Sequence, residues 1–241
     1  EGKVPFVEEG NFYEFDRDLG QEFNGLIYPK SKFLAEQFIR SQDTEMQVNV
    51  FRLGNIGGRT TDGLFQNNIE SNNVYLMLKA IALTGKYADM ISEMSIEFEP
   101  VDKVVEAICS ASELKSEVIS TFHLYDSKRY FIPEIVQAMN EAGLELRQVS
   151  NDELMGFYQE LSEDGNLAED YTSIGILRHT MLADAPIDMT RFEIYNKATI
   201  ACIENSGVTM EYDRDEYLKQ IIAHGIKCGF IPVNEINVIK N

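Results

Sequence analysis

A phenol and an ammonium stand four residues apart in Tyr28-Pro29-Lys30-Ser31-Lys32. Residues four apart on a helix share a face, so Lys32 can favour the ionised phenol electrostatically and can also reach a nearby polyol. Reduction of a carbonyl needs a proton donor of this kind. The spacing alone is weak, because eleven tyrosines and twelve lysines in 241 residues give roughly one Tyr-x-x-x-Lys match by chance. Tyr75-Leu76-Met77-Leu78-Lys79 is a second match. It lies in an apolar stretch that continues to Leu83, which is the pattern of a buried helix face. The first match has different company: Asn24 precedes Tyr28 by four residues, Ala35-Glu36 follow Lys32, and a strand ending in Arg52-Leu53-Gly54-Asn55-Ile56-Gly57-Gly58 comes next.

The elements that must hold these groups follow from periodicity. Residues 1–24 mix acidic and aromatic residues with Gly and Pro at no regular period, which predicts a long loop covering the site. A helix is predicted over Ile27–Arg40, with Pro29 tolerated in its first turn and Phe33, Leu34, Phe38 and Ile39 forming its apolar side. Val48 and Val50 alternate in a strand from Gln47 to Leu53, and the glycines from Gly54 to Gly58 permit a close backbone approach. Further helices are predicted over Asn73–Leu83, over Lys103–Ser112 capped by Asp102, and over Ile132–Glu141 ended by Gly143. Strands are predicted at Ser95–Phe98, Ser120–Tyr125 and Leu144–Val149. After Ser150, which with Glu153 suits a capping box, helices dominate: Asp152–Leu161, 191–204 and 215–228, with an acidic loop over 162–170 between the first two.

These pieces, in this order, resemble the extended short-chain dehydrogenase/reductases, and within them the thioester reductase domains that end nonribosomal peptide synthetases. The resemblance is carried by Asn24-x-x-x-Tyr28-x-x-Ser31-Lys32-x-x-Ala35-Glu36 and the Arg52-Leu53-Gly54-Asn55-Ile56 turn. Pro100-Val101-Asp102 opening a helix, the Phe122-His123-Leu124 strand and the closing Gly229-Phe230-Ile231-Pro232 complete it. It implies an α/β fold: the C-terminal portion of a Rossmann-like doubly wound parallel sheet with a small, mostly helical C-terminal substrate lobe. Residues 1–149 would be the C-terminal part of the reductase core, and 150–241 the substrate-side lobe with some return to the core. The implied activity is NADPH-dependent reductive release of a peptidyl or acyl thioester as aldehyde or alcohol. Its partner would be a phosphopantetheine-bearing carrier domain. Tyr28 and Lys32 would be catalytic, and Lys32, Gly54, Asn55 and Ile56 would border the cofactor.

Two family features are missing from the sequence. None of the sixteen glycines forms Gly-x-x-Gly-x-x-Gly, the turn that cradles a dinucleotide's phosphates. Residues 1–27 contain no serine or threonine to share the oxyanion with Tyr28. The amino-terminal, cofactor-holding half is therefore expected to lie before Glu1, and the chain alone is expected to bind NADPH poorly and be inactive. Close alternatives are a fatty-acyl or amino-acid carboxylate reductase, a nucleotide-sugar epimerase or dehydratase, and a non-catalytic interaction module on the same scaffold. Against the nucleotide-sugar enzymes, the stretch 150–188 is acidic, with Arg178 its lone arginine or lysine.

Composition narrows the classes further. Forty acidic against twenty-one basic residues give a net charge of −19, which disfavours nucleic acid and anionic membranes as partners. The same charge would repel an acidic carrier domain, so docking is expected on a local basic or apolar patch, with tethering compensating for weak affinity. No apolar run nears the roughly eighteen residues of a membrane helix. Cys109, Cys202 and Cys228 are odd in number and widely spaced, which argues against a disulfide framework and for the cytoplasm. His123, His179 and His224 never reach ligand spacing, so no metal site is expected, and His123 is expected to pack in its strand. No Gly-x-Ser-x-Gly elbow appears, which sets aside a serine hydrolase.

Overall fold

The computed structural model describes residues 10–20, 23, 27–43, 45–114, 119–125, 128–163 and 192–233. Asn24, Arg178, His179 and the acidic loop from residue 164 onward lie outside the described residues. Packing groups the chain into two compact units that interleave along the sequence: Glu1–Gly54 with Val104–Tyr125 and Ile187–Met210, and Asn55–Lys103 with Asp126–Pro186 and Glu211–Asn241. This grouping by contact differs from the division at residue 150, which is a division by function.

The first unit is built on β2 (Val48–Leu53) and β7 (Ile119–Leu124), paired in parallel from Val48 opposite Ile119 to Leu53 opposite Leu124. Parallel neighbours need a crossover between them. Phe51 and Phe122 stack across this pair with centroids 5.2 Å apart. Two short segments, β1 (Gly10–Phe12) and β10 (Phe192–Ile194), also pair in parallel. That overturns two expectations, since 10–12 fall in the predicted loop and 192–194 in the predicted helix. The helix there is shorter, α6 (Lys197–Asn205), because the Phe192-Glu193-Ile194 alternation suits a strand once a partner is available.

Helix α1 (Ile27–Arg40) has the predicted bounds but not the predicted burial. None of its residues is buried; Leu34 is 52% and Phe38 65% exposed. Its contacts include polar ones from Glu36, Gln37 and Arg40, together with the half-buried Phe33 ring 5.4 Å from that of Phe23.

The second unit holds an apolar core shared by α2 (Asn73–Thr84), α4 (Ile132–Glu141), α5 (Asn151–Glu163) and α7 (Arg214–Lys227). Tyr75, Leu78 and Ile81 of α2 meet Ile135 and Met139 of α4 and Tyr217, Leu218 and Ile221 of α7 in one cluster. Each such side chain contributes about 1.5–3 kcal/mol on burial. Asn72 caps α2 by accepting from the amides of Val74 and Tyr75. Asp213 does the same for α7 through Asp215 and Glu216. Strands here are short: β3 (Ile56–Gly57) pairs with β6 (Glu99–Pro100) and β4 (Lys86–Tyr87) with β9 (Arg147–Gln148), both in parallel. β5 (Ser95–Glu97) and β8 (Arg129–Phe131) are antiparallel. The strand predicted over Leu144–Val149 thus shrinks to two residues, Leu144 and Leu146 being buried beside it.

Helix α3 (Val101–Glu113) starts directly after Pro100, so Asp102 lies inside its first turn rather than at its cap. The carboxylate accepts instead from the Thr60 amide at 3.1 Å and the Thr60 hydroxyl at 2.6 Å. Ser150 does cap α5, its hydroxyl accepting from the Glu153 amide at 3.1 Å. Glu153 itself reaches Arg147 and Lys86.

Candidate active site

Tyr28 and Lys32 occupy the first turns of α1, and both side chains are exposed, Tyr28 to 71%. Helical spacing brings the Lys32 ammonium to 5.1 Å from the Tyr28 ring centroid. Ser31, between them, donates from its hydroxyl to the Tyr28 carbonyl at 2.7 Å. The pair is therefore adjacent, solvent-facing and on one side of the helix, an arrangement able to donate a proton to an incoming oxygen.

Gly54 and Asn55 follow the carboxyl end of β2, where ligands gather in open α/β sheets. Gly54 is half-buried and the Asn55 side chain exposed, while the Asn55 carbonyl accepts from the Glu99 amide at 2.8 Å. Ile56 lines a cavity of about 380 Å³ within the second unit, together with Arg59, Leu64, Phe65, Gln66, Asn72 and Val101. Arg59 at its rim forks onto Asp62, with contacts of 2.6 and 3.1 Å.

The glycines beyond Asn55 have a use that the sequence leaves open. A methyl group on Gly57 would collide with the Tyr217 hydroxyl, and one on Gly58 with the Gly63 carbonyl oxygen. Gly63 itself sits at φ +66°, where a side chain is strained. Close approach at Gly57 and Gly58 is thus to the protein's own backbone and core.

Below the exposed pair lies a network that sequence reasoning did not assign. Arg52 at the end of β2 forks onto Glu36 of α1, with Nη2 at 2.7 Å and Nε at 3.1 Å from its two oxygens. Its Nη1 donates to His123 Nε2 at 2.9 Å, so that nitrogen accepts and the proton sits on Nδ1. Nδ1 donates in turn to the Tyr195 carbonyl at 2.8 Å. Burial pushes the His123 imidazole below its ordinary value, the carbonyl bond opposing and the Arg52 charge adding to that shift. For Glu36 burial is the largest effect and raises the carboxyl, but the hydrogen bonds and charges of Arg52 and Arg40 outweigh it and hold it low. The one sequence signal for this network is a carboxylate on a helix flank four residues from Arg40; Arg52 and His123 are far from it along the chain.

The family described as male sterility protein, an NAD-binding group, matches residues 5–108. The fold is shared with a thiolation-reductase di-domain from an archaeal nonribosomal peptide synthetase, at TM-score 0.69 and 21% identity over 92% of this chain. The terminal reductase domain of the myxalamid pathway matches at TM-score 0.71 and 18% identity over 95% of the chain. The fold is thus shared with part of each of these two reductase structures. In sequence, a linear gramicidin synthase of Brevibacillus parabrevis is 25% identical over 138 residues, 57% of this chain. The chain spans 45% and 57% of those two solved structures and 3% of the gramicidin synthase. These findings fit the resemblance to a thioester reductase, and the matched region supports a nicotinamide cofactor. Among the described residues no helix is long and apolar enough to cross a membrane, and no group of His, Cys, Asp or Glu is placed to hold a metal ion.

Proposed function

We propose that this chain supplies the proton-donating, substrate-side part of a thioester reductase that uses NADPH to release a carrier-bound peptidyl or acyl chain. The observation that carries the reading is the exposed Tyr28 phenol with the Lys32 ammonium 5.1 Å from its ring. An exposed ammonium beside a phenol suits the ribose and nicotinamide end of a dinucleotide, and Gly54, Asn55 and Ile56 are proposed as further cofactor contacts. The bound cofactor supplies the hydride.

Tyr28 donates its proton to the thioester oxygen as the carbonyl carbon gains the hydride, so the C=O bond becomes C–OH in a hemithioacetal. Lys32 steadies the charge left on the phenol. Collapse re-forms the carbonyl, breaks the C–S bond and returns a proton to the leaving sulfur, giving aldehyde and carrier thiol. A second hydride and proton convert the aldehyde to an alcohol. Within the second unit, the cavity lined by Leu64, Phe65 and Val101 suits a small apolar group. The partner is a phosphopantetheine-bearing carrier domain, tethered so that weak docking suffices, and the compartment is the cytoplasm.

The test is NADPH consumption and aldehyde formation from an acyl-phosphopantetheine thioester by the native polypeptide that carries these residues. Tyr28→Phe is expected to lower turnover by about two orders of magnitude or more, with cofactor affinity nearly unchanged. Full turnover by Tyr28→Phe refutes the assignment.

A further inference from the structure

We propose that Arg52, clamped between Glu36 and His123, is a positioning residue that fixes α1 and thereby the place of Tyr28 and Lys32; this rests on the reading of that pair given above. The case begins with what α1 lacks. A surface helix is ordinarily seated by its buried apolar stripe, yet α1 buries no residue and leaves Leu34, Phe38 and Ile39 exposed. Beside one ring contact, Phe33 to Phe23 at 5.4 Å, its seating falls to polar contacts.

Those contacts converge on one carboxylate. Tyr28, Lys32, Glu36 and Arg40 follow at four-residue steps, a single stripe along the helix. At one end of the stripe stand the exposed phenol and ammonium. At the other, Glu36 and Arg40 are only 16% and 10% exposed. Glu36 accepts the Arg52 fork and the Arg40 Nε at 2.9 Å, and Arg40 also donates to the Thr121 hydroxyl of β7. Gln37 adds a bond to the Arg17 carbonyl at 2.8 Å.

Arg52 is itself held from several sides. Its Nη2 donates to the Asp16 carbonyl at 2.6 Å, its guanidinium lies 4.7 Å from the Phe12 ring centroid, and His123 Nε2 accepts from Nη1. His123 is fixed in turn: its ring lies 4.8 Å from Phe12, its Nδ1 donates to Tyr195, and its amide donates to the Thr199 hydroxyl at 3.0 Å. The planar fork can serve Glu36, His123 and the Asp16 carbonyl at once. A lysine, with one nitrogen, cannot. A helix slipping by one residue would rotate by about 100°, which would break the Glu36–Arg52 fork and swing Tyr28 aside.

The experiment is hydrogen exchange by mass spectrometry on the full chain carrying Glu36→Gln, Arg52→Lys, Arg52→Gln, or Glu36→Gln with Arg52→Gln. Exchange in α1 is expected to quicken about tenfold or more in each, with α2 unchanged as the internal control of folding. The double variant should be no worse than the singles, and Arg52→Lys should fail to rescue. The same variants in the reducing polypeptide should lower kcat about tenfold or more with KM for the thioester little changed. Unaltered α1 exchange, or full kcat in Arg52→Lys, overturns the proposal. If the unsubstituted polypeptide reduces no thioester, the reductase reading fails while the exchange result still decides whether Arg52 seats α1. His123→Leu, which removes the acceptor toward Arg52 while leaving the Glu36 fork in place, gives a milder variant should the Arg52 changes disturb folding, and unchanged α1 exchange in it counts against the clamp.

Discussion

The same Tyr-x-x-x-Lys spacing occurs in α1 and in α2, and the two settings differ in every other respect. Tyr28 is 71% exposed with Lys32 over its ring, on a helix that buries nothing. Tyr75 is 0% exposed, packs against Phe65 at 4.6 Å, and its hydroxyl accepts from the Gly58 amide at 3.1 Å. Burial drives the Tyr75 phenol well above its ordinary value, so it holds its proton. Lys79 turns to the Phe230 ring, 5.2 Å from its centroid. Spacing on a helix fixes which side chains are neighbours; the packing around them decides whether they do chemistry or hold a core.

Truncation separates the two tyrosines most strongly. Tyr75→Ala is expected to cost about 3–5 kcal/mol, whereas Tyr28→Ala should stay within about 0.5 kcal/mol. Urea unfolding measures both, and equal losses would break the contrast. A smaller effect is expected at the backbone that Tyr75 leans on. Gly58→Ala forces a methyl group against the Gly63 carbonyl and should cost about 1–3 kcal/mol, read in the same way.

The smallest expected effect is in pH dependence. His123 is held neutral in the folded chain, its value lowered from 6.5, so the unfolded chain binds the proton first on acidification. Stability is then full above about 6.5 and falls as pH drops toward the folded value. Local exchange in β2 and β7 should quicken in that window, and His123→Gln should flatten the response. The readout must be local, because burial lowers His224 in the other unit too.

Much of the fold was legible in the chain. Helix α4 has the predicted bounds because Pro133 fits a first turn and Gly143, at φ +98°, ends the run after Ala142. Helix α1 was legible in extent but not in burial, since an apolar stripe signals a seat without showing what fills it. The β1–β10 pair was missed because three residues carry almost no period. Asp102 was placed as a cap by rule, while the nearby Thr60 donors took its carboxylate.

The sequence by itself determined which side chains are neighbours on a helix, and so it placed Tyr28 beside Lys32 and Tyr75 near Lys79. That information is local, set by the 3.6-residue turn. The apolar run around Tyr75 also marked that phenol for a core, but only the tertiary structure decided that α1 buries none of its residues and that Glu36, Arg52 and His123 meet. Burial and charge pairing depend on groups far apart in the chain, whose meeting no short pattern records.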